Sequence, residues 1–449
     1  MSESRALRFG CIAAVVALAF AGTAKAQSLQ ALYEAARAYD ASYLSARSLA
    51  DTAQYKLEQA ESLARPGVGL GASVQAQHSW GPDGVSPVDP LKTLTTQAGV
   101  NGKMAVYNPG NSATIEQARR SLGVYASDLD AAEQDLIVRV SQAYFDVLGA
   151  RDNLGTAQSA KKAIGEQLAS AKRNFEVGTA TITDTREAQA RYDLSTAQEI
   201  AADNDLRTKQ VVLDQLVGRR NVDPNPLIQP VALPALPNPD IEGWVNGIEE
   251  HPAVRKARLG LEIAGLEYKK ARSANGVTVD ATGSLGIQHT AMNLPAAYAN
   301  ASGAGTAKSA TLGLSINYPL YSGGAISARE KETAKLEEKS REDLEYARRT
   351  VTLNTRSAFL GVQSLQAQVK ALEAAESSSK LALEATQLGY KVGVRVNIDV
   401  LNAQTQLFTT QRDLAKARYD TVLTGLRLRQ ANGSLRADDV AAVNQLLAK

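Results

Sequence analysis

"VGTATITD", residues Val177–Asp184, and "VGVRVNID", residues Val392–Asp399, write one turn twice in a single chain. Valine, glycine and aspartate return at a constant offset of 215 residues. That offset extends outward in both directions. Ala143 answers to Ala358, Tyr144 to Phe359, Val147 to Val362 and Leu168 to Leu383. Phe175 answers to Tyr390, Ala188 and Gln189 to Ala403 and Gln404, and Gly218 to Gly433. So many pairs in one register, with no insertion between them, indicate a tandem duplication. The reading divides the chain into a first repeat, 27–218, a linker, 219–250, a second repeat, 251–433, and a tail, 434–449. The linker holds "NVDPNPLIQPVALPALPNPD", whose prolines exclude a continuous helix.

Residues 1–26 read as a secretory signal. Arg5 and Arg8 form a basic start, "CIAAVVALAFAG" an apolar run, and Ala24-Lys25-Ala26 a small-residue cleavage site. The apolar run is shorter than the roughly 20 residues of a spanning helix. Cys11, the single cysteine, lies inside this segment, at the start of the apolar run and away from the cleavage site. The remainder is then free of disulfides and depends on packing or oligomerisation. Arg5, Arg8 and Lys25 against Glu3 account for the whole net charge of +2. A near-neutral mature chain gives no support for a nucleic-acid partner. No later stretch is apolar enough to cross a bilayer as a helix, so an exported chain enters a membrane as strands or not at all.

Each repeat has the same internal order: a helical segment (28–64; 251–272), two alternating runs, a very long helical pattern, the quoted turn, and a second helix. In "GVGLGASVQAQHSW", Val68, Leu70, Ala72, Val74 and Ala76 alternate with Gly69, Gly71, Ser73, Gln75 and Gln77. That is the period of a two-faced strand. "QAGVNGKMAVY", "VTVDATGSLGIQ" and "TLGLSINY" repeat the pattern. The runs approach the about 9–11 residues that cross a bilayer when tilted, with one apolar and one polar face. Trp80, Tyr107, Tyr318 and Tyr321 sit near strand ends, where interfacial aromatics belong. A soluble sandwich is the competing reading of these four strands. Four strands cannot close a barrel, for which about eight is the usual minimum. An open edge in lipid leaves backbone groups unpaired, so a barrel has to be shared between protomers. A dimer supplies eight strands and a trimer twelve, and alternation does not decide between them.

In the long pattern the apolar positions are Leu136, Val140, Ala143, Val147, Ala150, Leu154, Ala157, Ile164, Leu168, Ala171 and Phe175. Steps of four and three make this a coiled-coil seam, interrupted only at Lys161. Val351, Ala358, Val362, Leu365, Val369 and Leu372 continue it in the second copy. From about Ser112 to about Glu176 the helix is on the order of 100 Å long, too long for an ordinary globular core. The helices 28–64 and 184–217, stacked end to end, roughly match that length. The pattern predicts an elongated helical body with strands at one end and the duplicated turns at the other.

With these motifs in hand, "YKVGVRVNIDVLNAQTQLFTTQRDLAKARYD" (Tyr390–Asp420), "FEVGTATITDTREAQARYD" (Phe175–Asp193) and "YPLYSGG" (Tyr318–Gly324), the chain resembles the TolC family of outer-membrane efflux and secretion ducts. The resemblance covers essentially the whole mature chain. It implies an α+β membrane protein: a long α-helical coiled-coil barrel in the periplasm plus a transmembrane β-barrel shared by three protomers. The linker falls at the equatorial region of such a duct. Implied partners are a homotrimer of this chain, a periplasmic adaptor (membrane fusion) protein, an inner-membrane transporter of ABC or RND type, and outer-membrane lipid. The implied function is the exit duct of a tripartite efflux pump or a type I secretion system, with cargo chosen largely by the inner-membrane partner. No cofactor or metal is implied.

The resemblance also places a gate at the periplasmic tips. Carried over by position, its residues are Gln167, Thr183 and Asp184 in the first copy and Gln387, Tyr390, Arg395, Asp399 and Asn402 in the second. Arg395 pairs with Asp184 or Thr183, Tyr390 bonds Asp184, and Asp399 forms a luminal carboxylate ring. The best-known member carries an aspartate where this chain has Asn402 and a glutamate where it has Gln387, so this gate is less acidic. Gly178 and Gly393 lie at the tips that meet the adaptor. A plainer reading stands beside these roles. Asp184 and Asp399 sit near helix starts and suit N-terminal capping, and the glycines suit helix termination.

Enzymatic readings find no motif. His78, His251 and His289 are scattered, with no zinc spacing, nucleophile elbow or phosphate loop. A structural surface protein with a helical stalk and a shared barrel is the rival of a different class. The duplicated turn and the alanine-rich seam argue against it, because a stalk needs neither.

Overall fold

The computed structural model describes residues 27–81, 90–228, 230–231, 238–293 and 304–448. The signal reading for residues 1–26 lies outside them. In chain order the elements are α1 (Leu29–Tyr39), α2 (Ala41–Glu61), β1 (Gly67–Ser79), β2 (Leu91–Tyr107), α3 (Pro109–Glu176) and α4 (Ile182–Val217). After a short helix α5 (Ile241–Val245) the order returns: α6 (Pro252–Ser273), β3 (Thr278–Met292), β4 (Gly305–Asn317), α7 (Ala325–Lys391) and α8 (Asn397–Ala431), closed by α9 (Ala437–Asn444). Compactness does not follow the repeat. One unit takes residues up to 47, 129–254 and 348 onward, and the other takes 48–128 and 255–347.

The second unit carries the sheet. Its four strands pair antiparallel in the order β1-β2-β3-β4, with one register shift between Ala105 and Tyr107. Leu70, Val100, Leu285 and Ala310 lie in one cross-strand row, and Val68, Gly102, Gly283 and Leu312 in the next. One face is therefore apolar across all four strands. On the other, Gln97 Nε2 donates to Ser73 Oγ at 2.8 Å and Lys103 pairs with Asp280 at 2.9 Å. Among the described residues nothing covers the apolar face: Leu70 is 82% and Leu312 93% exposed. A soluble sandwich buries such a face, so the competing reading fails here. No described helix is long and apolar enough to cross a membrane.

The first unit holds the main core. Leu136, Val140, Val147 and Leu148 of α3 pack with Leu29 and Leu32 of α1 and Leu213 and Val217 of α4. The seam positions Leu136, Val140, Ala143, Val147, Ala150, Ile164, Leu168 and Ala171 are buried, as heptad spacing requires. Phe175, read as the seam's last member, is 43% exposed, because the helix ends one residue later. The interruption at Lys161 has a partner. Its Nζ donates to Glu199 Oε2 of α4 at 2.8 Å and lies 5.8 Å from the Tyr192 ring centre, so the cation is matched where the seam opens. Pro109 opens α3 at the position where a missing N–H is harmless, and Asn108 Oδ1 accepts from Asn111 N at 3.2 Å. The helix thus begins three residues before the sequence pattern places it.

One expectation is corrected. The first helical segment is not continuous: Asp40 ends α1 and starts α2. Its N–H reaches Ala36 O at 2.7 Å, while its Oδ1 accepts from Tyr43 N at 2.8 Å. Arg139 of α3 donates to both carboxylate oxygens at 3.0 Å, and these hydrogen bonds hold the Asp40 carboxyl below the usual aspartate range. The tail packs into the core. Leu435, Val440, Val443 and Leu447 are buried in the same core. Ile228 N donates to Leu446 O at 2.9 Å and Ala448 N to Pro226 O at 2.8 Å, so part of the proline-rich linker and the tail form one small bonded layer. The Tyr144 hydroxyl donates to Asn225 O at 2.8 Å within it, and burial raises that phenol above its ordinary range.

Candidate functional site: the paired tip turns

The two turns are backbone copies of each other. Gly178 has φ +77° and Gly393 φ +81°, the left-handed conformation that ends a helix. Thr179 N donates to Asn174 O at 2.8 Å and Ala180 N to the same oxygen at 3.2 Å. In the second copy Val394 N donates to Gly389 O at 2.9 Å and Arg395 N to that oxygen at 3.2 Å. Every donor and acceptor matches at the 215-residue offset. A methyl group at either left-handed glycine meets nothing within 4 Å. The glycines are thus required by conformation and leave their outer surface open.

The aspartates cap, but with different completeness. Thr181 and Asp184 form a reciprocal box: Thr181 N donates to Asp184 Oδ2 at 3.0 Å and Asp184 N to Thr181 Oγ1 at 3.2 Å. The second copy has Val396 in place of the threonine, so the hydroxyl half is missing. Asp399 Oδ2 accepts from Val396 N only at 3.5 Å and lies 3.7 Å from Arg395 Nη1. Asp399 is therefore the less committed carboxylate. Asp184→Ala should lower the thermal midpoint by the equivalent of about 1 kcal/mol through loss of its cap. Asp399→Ala should lower it by a smaller amount, and circular dichroism melts of both variants check the order.

Side chains tie the α3–α4 hairpin to α7 and α8. Gln167 Nε2 donates to Asn397 Oδ1, and Asn397 Nδ2 donates to Asp184 O at 3.4 Å. Asn174 Nδ2 donates to the Tyr390 hydroxyl at 3.2 Å, and Arg191 Nη2 to Asn402 Oδ1 at 3.1 Å. Beneath these, Ile164, Leu168 and Ala171 of α3, Ala188 of α4 and Leu401 of α8 form an apolar cluster. Within one chain, then, Gln167, Tyr390 and Asn402 take part in ties between the hairpins. Arg395 lies against Asp399 of its own turn rather than Asp184, and Asp184 meets the second hairpin through its carbonyl. Thr183 and Gln387 lie in the same region and take no part in these ties. Sequence reading missed Asn174, Arg191 and Asn397. A polar residue at Asn397, where the repeat has Ile182, was the available signal.

The profile named Outer membrane efflux protein matches residues 32–219 and 246–434. The chain belongs to that family. It is 28% identical to Outer membrane protein TolC of Escherichia coli (strain K12) over 439 residues, covering 96% of this chain and 87% of that protein. It is 30% identical over 313 residues to Alkaline protease secretion protein AprF of Pseudomonas aeruginosa, covering 69% and 64%. In fold it is similar to the outer membrane protein VceC of Vibrio cholerae, with TM-score 0.77 at 19% identity over 90% of this chain and 96% of that one. It is also similar to the open state of the Neisseria gonorrhoeae MtrE outer membrane channel, with TM-score 0.73 at 19% identity over 91% and 90%. Members of this family are outer-membrane efflux or secretion ducts and not enzymes. The α+β architecture, the tandem repeat and the outer-membrane location read from the sequence hold for this chain.

Proposed function

We propose that three copies of this chain close one duct, the exit of a tripartite efflux pump or a type I secretion system, gated at the paired tip turns. The observation that carries the reading is the sheet. β1 and β4 each present an unpaired 13-residue edge among the described residues, beside an uncovered apolar face. Edges of that length in lipid are tolerated only when joined to another sheet. Three sheets of four strands give a barrel of ordinary size with an open lumen. A periplasmic adaptor docks at the tips around Gly178 and Gly393, and an ABC or RND transporter supplies cargo from the inner membrane. The linker 219–250 lies at the equator of the helical body. Native mass spectrometry of the full chain in detergent should give a three-chain mass, and a monomer would remove the shared barrel.

The gate is the ring of Gln167, Asp184, Thr183, Gln387, Tyr390, Arg395, Asp399 and Asn402 contributed by three protomers. Asn402 has an amide where a second carboxylate would double the charge, so Asp399 is the one carboxylate that the second copy gives to the ring. Three like charges in a narrow aqueous passage concentrate cations. Asp399→Asn keeps an acceptor oxygen for the Val396 N–H and removes the charge. In planar bilayers it should lower the cation-to-anion permeability ratio several-fold, with an unchanged thermal midpoint. An unchanged ratio would return Asp399 to a purely capping role.

A further inference from the structure

The apolar face of the sheet is not uniform. Register puts His78, Lys92, His289 and Lys308 on it, each within the last four residues at the hairpin end of its strand. The half next to the helices carries none of them; Leu314 and Met104 are typical there. Asp280 is the one carboxylate within the four strands. It is committed to Lys103 on the opposite face at 2.9 Å. Lys92 and Lys308 have no ion-pair partner among the described residues, and both are exposed. Trp80 stands beside His78, ring centres 6.2 Å apart in an edge-on arrangement, at the level where interfacial aromatics sit.

An ammonium on a lipid-facing strand is unfavourable unless its stem lies along the apolar surface and its head reaches the interface. Lys92 stands at the hairpin end itself, while Lys308, in one row with Ile287 and Ala98, starts six residues, roughly 20 Å, further in along β2 and reaches the interface from near the start of its own strand, so each lysine takes its own phosphate. A head at the interface with no ion-pair partner and no carboxylate on its face among the described residues calls for an anion from the membrane. We propose that the hairpin half of this face is a docking site for the phosphate groups of a lipid, with Lys92 and Lys308 as the phosphate-binding cations and Trp80 and His78 flanking Lys92. Three protomers give three equal sites. The site rests on the reading that the sheet forms part of a transmembrane barrel with this face toward lipid. The lysine heads then sit in the leaflet away from the helices.

The test uses the full oligomer in uncharged detergent, with bisphosphorylated lipid A as the probe and its dephosphorylated form as the control. Native mass spectrometry counts bound lipid. The wild type should bind the phosphorylated form about 30-fold more tightly than Lys92→Gln/Lys308→Gln, at roughly fivefold per lysine. The dephosphorylated lipid should bind wild type and variant alike, and Lys103→Gln should keep wild-type affinity. Equal affinity of the double variant for phosphorylated lipid A, in an oligomer that still inserts and conducts, overturns the lipid site and leaves the barrel standing. Displacement of the lipid by inorganic phosphate at matched concentration also overturns it, by assigning the lysines to a soluble anion. A chain that never inserts as a conducting oligomer removes the barrel and the lipid site together.

Discussion

Gly433→Ala should destabilise the folded chain by about 2–5 kcal/mol and sharply reduce the yield of assembled protein. Gly433 sits at φ +82°, where a side chain costs about 1–2 kcal/mol, and a methyl group built there lies 2.5 Å from the His251 Cα. That neighbour is backbone, so relief requires α8 to shift against the segment leading into α6, a further cost on the order of 1–3 kcal/mol. The repeat supplies its own controls. Gly218, the equivalent position, has φ +67°, but its methyl group would meet the Tyr39 ring at 2.5 Å. Tyr39 is largely exposed and free to swing aside. Gly393 has φ +81° and open space around it, so only the conformational term applies. The order of loss should be Gly433 first, then Gly218, then Gly393, read as thermal midpoints and oligomer yield. Equal losses at all three would mean that the His251 contact contributes nothing.

The parts of this architecture legible in sequence are those written in local periodicity. Alternation in β1 to β4 gave the two faces. Steps of three and four gave α3 and α7, and the constant offset gave the duplication. Each depends on residues close along the chain. The break at Asp40 was hidden because alanine, tyrosine and leucine continue a helical pattern on both sides of it. What stops the helix is the aspartate's local capping, reinforced by Arg139, 99 residues away. The core role of the tail was hidden for the same reason, since its partner is the 221–228 stretch on the far side of the second repeat. At the tips the resemblance located the region, but it did not give the pairing within the chain. Asn174 and Tyr390 are 216 residues apart and Gln167 and Asn397 are 230, and of the four only Asn397, polar where the other repeat has Ile182, stands out locally. Arg395 illustrates the limit well. Its sequence position suits a tie to another helix, while the four-residue spacing to Asp399 brings those two together within one turn.

Asn397→Leu should raise single-channel conductance more than any other single change at the tips. Asn397 is 3% exposed and uses both ends of its amide: Oδ1 accepts from Gln167 and Nδ2 donates to Asp184 O. Leucine is similar in size, so packing against the cluster around Leu401 changes little, while both bonds disappear. Gln167 and the Asp184 carbonyl then lack their partner, at about 1–3 kcal/mol for groups cut off from water. In the proposed gate, opening separates the two hairpins and returns both groups to solvent, so the substitution penalises the closed arrangement and spares the open one. A bias of about 1.4 kcal/mol per protomer is tenfold in the closed-to-open ratio, and in the proposed trimer three protomers experience it together. The exposed Arg191–Asn402 tie is worth less, and Arg191→Ala should raise conductance by a smaller step. Ile182→Ala supplies the control, because the same position in the first repeat makes no such bond and is half exposed. Recording all three variants in planar bilayers ranks the ties. If Asn397→Leu conducts like the wild type, the amide serves only local packing, and the hold on the tips lies in contacts between protomers.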